Sequence, residues 1–464
     1  MRRRLLALPL ATLSALAALT GNAAAQAPIS QASCEMGGGT PAICVGLGKL
    51  GDRIAAECRR LAIADATCAQ AAGRRVIRSE ISTFERSPLA RTLAFQSQLG
   101  DVLGLRDATF AGTHNSFNET AEAPTVSHTD SNQQLDLTDQ LRLGMRSLEL
   151  DVHWLPSPRA AGAFAPVLCH GTGPVGCSTE RLLVDRLPEI TRWLEDNPRA
   201  VILLYLEDQI DDPAGYETSA KVVREAFGER LYTPASPGCT NLPLDLTRNQ
   251  VRAAGRQVVV VGDCGTGAWQ GVSHAWPGSV RFESGPEAYQ DYPACGGEKA
   301  NEARARILRY FEDSTFLSAA TGIGSTPDPG LTPERVRQMD RCGTNLLGFD
   351  QLVPGDPRLA ALAWSWVDGP PAAGDPTCTV RRADGRWESR SCRTRNRPSC
   401  LRADGSWFVL DKTTARNPAG RACRRAGGLF RSPRTAFQNQ LLSDAAGAGE
   451  TWIAYRPAPR ASRR

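Results

Sequence analysis

Two periodicities alternate along this chain. Over residues 26–100 the apolar positions recur at helical spacing. Ile54, Cys58, Leu61 and Cys68 mark one segment over 52–69, and Phe84, Leu89, Leu93 and Phe95 mark a second over 81–99. That pattern predicts a helical N-terminal segment. From about 101 to 368 short apolar runs take over, at 108–113, 147–154, 167–169, 201–206, 258–261 and 345–349. Helix-like stretches separate them, over 179–196, 216–227, 299–316 and 332–340. Strands alternating with helices predict a parallel sheet. A segment of this length suits a (β/α)8 TIM-like barrel, an α/β fold, with its sixth and seventh strands somewhere in 279–323. After Trp366 the pattern changes again. Pro370, Pro371, Gly374 and Pro376 read as a linker. Residues 369–464 then carry Asp384-Gly385 and Asp404-Gly405, turn signals between short strands of a small, disulfide-rich, β-containing module.

The first 25 residues stand apart from this scheme. Arg2, Arg3 and Arg4 precede a Leu- and Ala-rich run, and Ala23, Ala24 and Ala25 offer a cleavage site. Residues 1–25 therefore read as a secretory signal peptide, and the mature chain as secreted, extracellular or periplasmic, with no later run long enough to span a bilayer. All 14 cysteines lie beyond that site. None has the double CxxC spacing of a zinc centre, so disulfides are expected, with Cys34 and Cys44, Cys58 and Cys68, Cys169 and Cys177, and Cys378 and Cys392 as close pairs.

Charge is unevenly divided. Residues 378–464 hold 19 Lys and Arg against 6 Asp and Glu, whereas the rest of the mature chain holds 32 against 43. A basic tail on an acidic body could attract anionic headgroups at about 1 kcal/mol per well-placed charge. Its plainer reading is a solvated arginine-rich surface. No nucleic-acid partner is expected.

The chemistry concentrates at the ends of the apolar runs. In Ser147-Leu148-Glu149-Leu150-Asp151-Val152-His153-Trp154, strand alternation puts Leu148, Leu150 and Val152 on one face and Glu149, Asp151 and His153 on the other. In a barrel the second set points inward. Two buried carboxylates one strand-step apart need a partner, and a hard divalent cation or neighbouring arginines would serve. The run 201–208 ends in Glu207-Asp208, with Leu203, Tyr205 and Glu207 on one face. Two of the five histidines, His114 and His170, directly follow apolar runs, where barrel enzymes gather their active groups. A histidine in either place alone is more often structural.

Gly112-Thr113-His114-Asn115-Ser116, then Gly144-Met145-Arg146-Ser147-Leu148-Glu149-Leu150-Asp151, His170-Gly171 and Leu206-Glu207 resemble, in order and spacing, the catalytic X region of phosphoinositide-specific phospholipases C. The resemblance covers about 104–210 well, and more loosely runs on to Gly348-Phe349-Asp350-Gln351. It implies that Asn115, Glu149, Asp151 and Glu207 bind Ca2+, and that His114 and His170 are catalytic. In such an enzyme the inositol 2-hydroxyl attacks phosphorus, yielding diacylglycerol and a cyclic inositol phosphate. His114 would stabilise the transition state and His170 would protonate the leaving oxygen. Glu149 is the first choice for the base, with Asp151 possible. Metal-independent bacterial relatives carry Asp after the first histidine and Arg at the position of Asp151, so Asn115 and Asp151 place this chain with the calcium-dependent type.

The implied partner is a phospholipid at a membrane surface. No pleckstrin-type or EF-hand pattern accompanies the motifs, which points to plain phosphatidylinositol over a polyphosphorylated lipid. His128 and His153 have no role in the resemblance. In the tail, Cys378, Trp387, Cys392 and Cys400, then Cys423, Pro433, Asn439 and Trp452, resemble the two halves of a C-type-lectin-like domain in permuted order. Glycan or surface binding by the module is thus an expectation beside a purely structural cap. Two other readings stay open: a glycerophosphodiester phosphodiesterase or sphingomyelinase-D-like enzyme, and a non-catalytic calcium- or surface-binding barrel.

Overall fold

The computed structural model describes residues 31, 41–62, 65–119, 131–157, 159–170, 181–236, 238–277, 281–283, 290–295, 307–312 and 331–457. The proposed signal peptide and His128 lie outside these, and so do the side chains of Cys34, Cys68 and Cys177.

Three helices lead the chain: α1 (Pro41–Leu61), α2 (Asp65–Glu85) and α3 (Pro88–Leu99). The sequence pattern over 81–99 runs on as one segment, yet the structure breaks it. Pro88 cannot donate to a preceding turn but suits a first helical position, and the Ser87 hydroxyl accepts from Ala90 N (3.1 Å), so a new helix starts there.

The central sheet has nine strands. Eight are parallel: β1 (Phe110–Thr113), β2 (Ser147–Pro156), β4 (Ile202–Gln209), β5 (Val258–Gly262), β6 (His274–Ala275), β7 (Arg281–Glu283), β8 (Leu308–Phe311) and β9 (Leu346–Phe349). They follow one another in the order β6-β5-β4-β2-β1-β9-β8-β7, which is the curled, sequential order of a barrel wall. Among the described residues no pairing joins β6 to β7, so the sheet is seen as a curled parallel wall open at that seam. The ninth strand, β3 (Phe164–Leu168), departs from the expectation of a parallel strand at 167–169. It pairs antiparallel with β2, Val152 opposite Leu168. The short link after Pro156 allows a hairpin, whereas a parallel crossover needs a dozen or more residues.

Around the sheet pack α4 (Leu137–Arg142), α5 (Leu183–Asp196), α6 (Pro213–Phe227), α7 (Arg248–Ala253), α8 (Pro333–Arg341) and α9 (Pro357–Ala361). Strand alternation divides the core. Leu148, Leu150, Val152, Ile202, Leu204 and Leu206 face the helices, while Leu203, Tyr205, Val259, Val261 and Phe110 fill the inside of the curl. One expected helix, 299–316, is wrong where it is described: residues 308–311 form β8, bonded to β7 and β9. Its four residues are too few to show alternation against the helical spacing of the surrounding run. The sixth and seventh parallel strands, β7 and β8, do fall within 279–323.

Beyond Trp366 a six-stranded sheet forms from β10 (Cys378–Arg381), β11 (Trp387–Arg390), β12 (Arg397–Leu401), β13 (Trp407–Val409), β14 (Leu429–Phe430) and β15 (Thr451–Trp452), with α10 (Arg416–Arg425) and α11 (Ala436–Ala446). Gly385 and Gly405 both take φ +86° in its two Asp-Gly turns, where a side chain would be strained. Disulfides join Cys378 to Cys392 and Cys400 to Cys423 here, and Cys239 to Cys264 and Cys295 to Cys342 in the preceding part. Cys44, Cys58 and Cys169 are also disulfide-bonded.

Candidate active site

The curl brings the ends of β1, β2, β4 and β9 together. Register sets Glu149 opposite Tyr205 and Asp151 opposite Glu207, so the inward faces of β2 and β4 stack their acids at the same height. Carboxylate oxygens of Glu149, Asp151 and Glu207 all lie within 4.8 Å of one another. Glu149 and Asp151 are buried, and Glu207 is half-buried at the opening.

The turn after β1 delivers the next group. Gly112 lets β1 approach β2 closely, since a Cβ there would sit 2.4 Å from Ser147 O. His114 N donates to Phe349 O on β9 (3.3 Å) and Ser116 N donates to Glu149 O on β2 (2.9 Å), so the turn is tied to both neighbours. Between them Asn115 adopts φ +41°, a left-handed conformation that asparagine tolerates, and its N–H donates to Glu149 Oε2 (3.2 Å). Its amide oxygen stands 2.8 and 2.9 Å from the two Asp151 carboxylate oxygens, acceptor against acceptor. Turning the amide over would make two hydrogen bonds there; a cation between the oxygens would serve equally.

Burial pushes the Glu149 carboxyl up to about 7, with His114 and Arg309 opposing the shift and Glu207 adding to it. Asp151 is raised well above the usual carboxylate range, by burial first and then by Glu149 and Glu207. The carboxylates of Glu149, Asp151 and Glu207 with the Asn115 amide oxygen form an all-oxygen set of the kind calcium prefers, and a divalent ion would offset the repulsion among the acids. The residues present therefore fit a hard cation.

His114 closes one side. Its Nδ1 faces both oxygens of the buried Asp350, and its Nε2 is 3.7 Å from Glu149 Oε2. Asp350 is anchored from behind: its N–H donates to Glu312 Oε2 (2.7 Å), and Arg358 donates to its carbonyl (2.9 Å) and to Glu312 (2.6 Å). Sequence reasoning gave Asp350 no role, although an acid directly after the apolar run 345–349 has the same form as Glu207 after 201–206. Arg309 was missed too, hidden in the supposed helix. Its guanidinium lies 4.6 Å from the Tyr205 ring centre and 4.5 Å from that of Phe311, and its charge acts on Glu149 and Asp151.

The remaining histidines divide. Cys169 N donates to Asp151 O (3.2 Å) as β3 returns along β2, and His170 follows at once, half-buried at the same end of the sheet. His153 does face inward from β2 and is buried, its Nε2 3.1 Å from Cys169 O, with burial lowering its pKa. His274, buried on β6, lies 3.3 Å through Nδ1 from Val260 O and stacks on Tyr232, away from the acids.

With that geometry in view, comparison with known proteins gives one family. Residues 71–356 match the family described as the Rv2075c PI-PLC-like domain, more than half of the chain. A Mycobacterium tuberculosis protein, Rv2075c, itself uncharacterized, is 41% identical over 449 residues, 92% of each chain. The chain belongs to the Rv2075c PI-PLC-like family. Human PI-PLC X domain-containing protein 1 is 27% identical over 183 residues, covering 37% of this chain and 51% of its own. Among solved structures, phosphatidylinositol-specific phospholipase C from Listeria monocytogenes aligns with a TM-score of 0.41 at 15% identity, over 58% of this chain and 97% of its own. Membership in the PI-PLC-like family agrees with the family to which the X-region motifs pointed.

Proposed function

We propose that this chain is a secreted, calcium-dependent phosphatidylinositol-specific phospholipase C-like phosphodiesterase whose sheet closes into a full barrel. The observation that carries this reading is the meeting of an all-oxygen acidic cluster with the His114–Asp350 pair at one end of the parallel sheet. Asn115, Glu149, Asp151 and Glu207 would hold the ion. Calcium held there would lower the pKa of a bound hydroxyl and neutralise charge on phosphate oxygens.

The chain's own groups supply the remainder. Glu149, next to both the acids and His114, takes the proton from the inositol 2-hydroxyl. His114, oriented through Nδ1 by Asp350, presents Nε2 to the phosphoryl oxygen and stabilises the charge that gathers there. His170 gives a proton to the glycerol oxygen as it leaves. The P–O bond to glycerol breaks as the bond from the 2-oxygen forms, giving diacylglycerol and a cyclic inositol phosphate. Disulfides throughout the chain support an oxidising destination. No helix among the described residues is long and apolar enough to cross a membrane.

Cleavage of phosphatidylinositol vesicles by the purified mature chain, with calcium and with chelator, tests the reading. Calcium-dependent release of diacylglycerol, abolished in His114→Ala, supports it. Release from glycerophosphodiesters alone moves the protein to another phosphodiesterase class, and calcium binding without turnover of either substrate makes it a binding barrel.

A further inference from the structure

A buried run of four polar side chains, Ser131-Asn132-Gln133-Gln134, lies behind the candidate site. Burying so many amides is costly unless each is committed to a partner. Asn132 is the most tightly specified. Its Nδ2 donates to Asp350 Oδ2 (3.2 Å), and its Oδ1 accepts from Asn118 Nδ2 (2.9 Å). Its backbone is fixed as well: Asn132 N donates to Asn118 O (3.0 Å), and Gln351 N donates to Asn132 O (2.6 Å). The amide of Asn132 therefore has only one orientation that satisfies both ends.

That orientation decides another. Asn132 Oδ1 stands 3.3 Å from the amide of Asn115, on the side away from Asp151. An acceptor fixed there favours the Asn115 nitrogen on that side, where it also lies 3.2 Å from His114 Nε2, a ring nitrogen free to accept while Nδ1 donates to Asp350. The Asn115 oxygen is then left facing Asp151 at 2.8 and 2.9 Å, which favours a cation over the turned-over amide that would hydrogen-bond Asp151 directly. Gln133 reinforces the frame, its Nε2 within 2.7 Å of His114 O and of Phe349 O and 3.2 Å from Asp350 Oδ1.

We infer that Asn132 is a positioning residue that sets both halves of the site at once, turning the Asn115 oxygen toward the cation and holding Asp350 against His114. The inference rests on the proposed calcium reading and assigns a task that the ligands themselves do not perform. Asn132 touches neither ion nor substrate. It acts through Asn115 and through Asp350.

Two substitutions separate the arms. Asn132→Leu keeps the branched shape and removes both side-chain contacts. Asn132→Asp keeps an oxygen toward Asn115 but cannot donate to Asp350. The full mature chain is titrated with calcium chloride by calorimetry, and kcat and KM are measured on phosphatidylinositol vesicles at saturating calcium. For Asn132→Leu the expected result is calcium affinity reduced about 10- to 100-fold, the usual effect of losing a group that orients a metal ligand. Its kcat should fall over a similar range with KM unchanged. For Asn132→Asp, affinity should be kept or tightened while kcat falls. An Asn132→Leu protein with wild-type affinity and kcat overturns the inference; if that variant does not fold, wild-type kcat in Asn132→Asp does so. A wild-type chain that cleaves lipid without binding calcium defeats the cation arm together with the reading beneath it, whereas equal calcium binding and equal kcat in wild type and variants defeats this inference alone.

Discussion

His114 Nδ1 lies 3.3 and 3.2 Å from the two carboxylate oxygens of Asp350, across the junction between β1 and β9. One nitrogen of the ring is thereby committed to an orienting partner, and the other turns toward Glu149 and the acidic cluster. Fixing the imidazole through its far nitrogen is how a histidine is aimed for hydrogen bonding or proton transfer. Asp350→Asn should leave the protein folded and lipid KM unchanged while kcat falls about 10- to 100-fold or more. Diacylglycerol release over a range of vesicle concentrations separates the two parameters.

The acidic cluster predicts a linkage between calcium and stability. Folding brings Glu149, Asp151 and Glu207 together and an unfolded chain does not, so calcium should bind the native state selectively. At about a hundredfold excess over its dissociation constant, such an ion adds about 2.7 kcal/mol. Thermal melts with calcium and with chelator should show that gain, and Asp151→Asn should abolish most of it.

Away from the site, Asp340 on α8 predicts a pH dependence. Burial raises its carboxyl from the ordinary value to about 7. The folded state then holds this proton more tightly than the unfolded chain does. Its contribution is best below the unfolded pKa and is lost progressively as pH rises toward 7. Asp340→Asn removes the penalty, so it should raise the melting temperature at pH 8 and change it little at pH 4. Equal shifts at both pH values would count against it.

Trp387 offers a prediction about packing. It is fully buried, its Nε1 donates to Asn439 Oδ1 (3.1 Å), and Phe95, Trp364 and Trp366 meet its ring edge-on. Trp387→Ala should destabilise the protein by about 3–5 kcal/mol, as large-to-small changes of buried aromatics do. Chemical denaturation monitored by tryptophan fluorescence would measure it.

Legibility followed the strength of local constraint. Alternation over 147–154 placed Glu149 and Asp151 inward because a sheet buried on both sides leaves little freedom over which face is polar. The run 201–206 ending in Glu207 worked for the same reason. Arg309 was illegible, since four residues of β8 take their conformation from β7 and β9 and not from their own pattern. The hairpin of β2 and β3 was hidden because a short apolar run does not reveal the direction of its partner. Asp350 was visible as a residue and invisible as a neighbour of His114, 236 positions away. Asn132 gave no signal at all, for its importance lies in which of its two amide atoms faces which acceptor.

Helix α3 has a consequence for how the protein meets its surroundings. Gln96 holds the chain at Leu362, Trp364 and Ser365, Arg386 of the tail donates to Ala363 O (2.8 Å) and Ser365 O (3.0 Å), and Phe95 packs edge-on against Trp387 and Tyr455. The basic tail region is therefore no loose tether swinging from a proline-rich string. It is an outrigger, mounted at a fixed bearing, and its surplus of arginines arrives wherever the sheet arrives. Any surface drawn to that charge also sets the angle at which the acidic mouth approaches. A nick between Trp366 and Cys378 would leave the halves clasped, so a protease could cut the string without releasing the load.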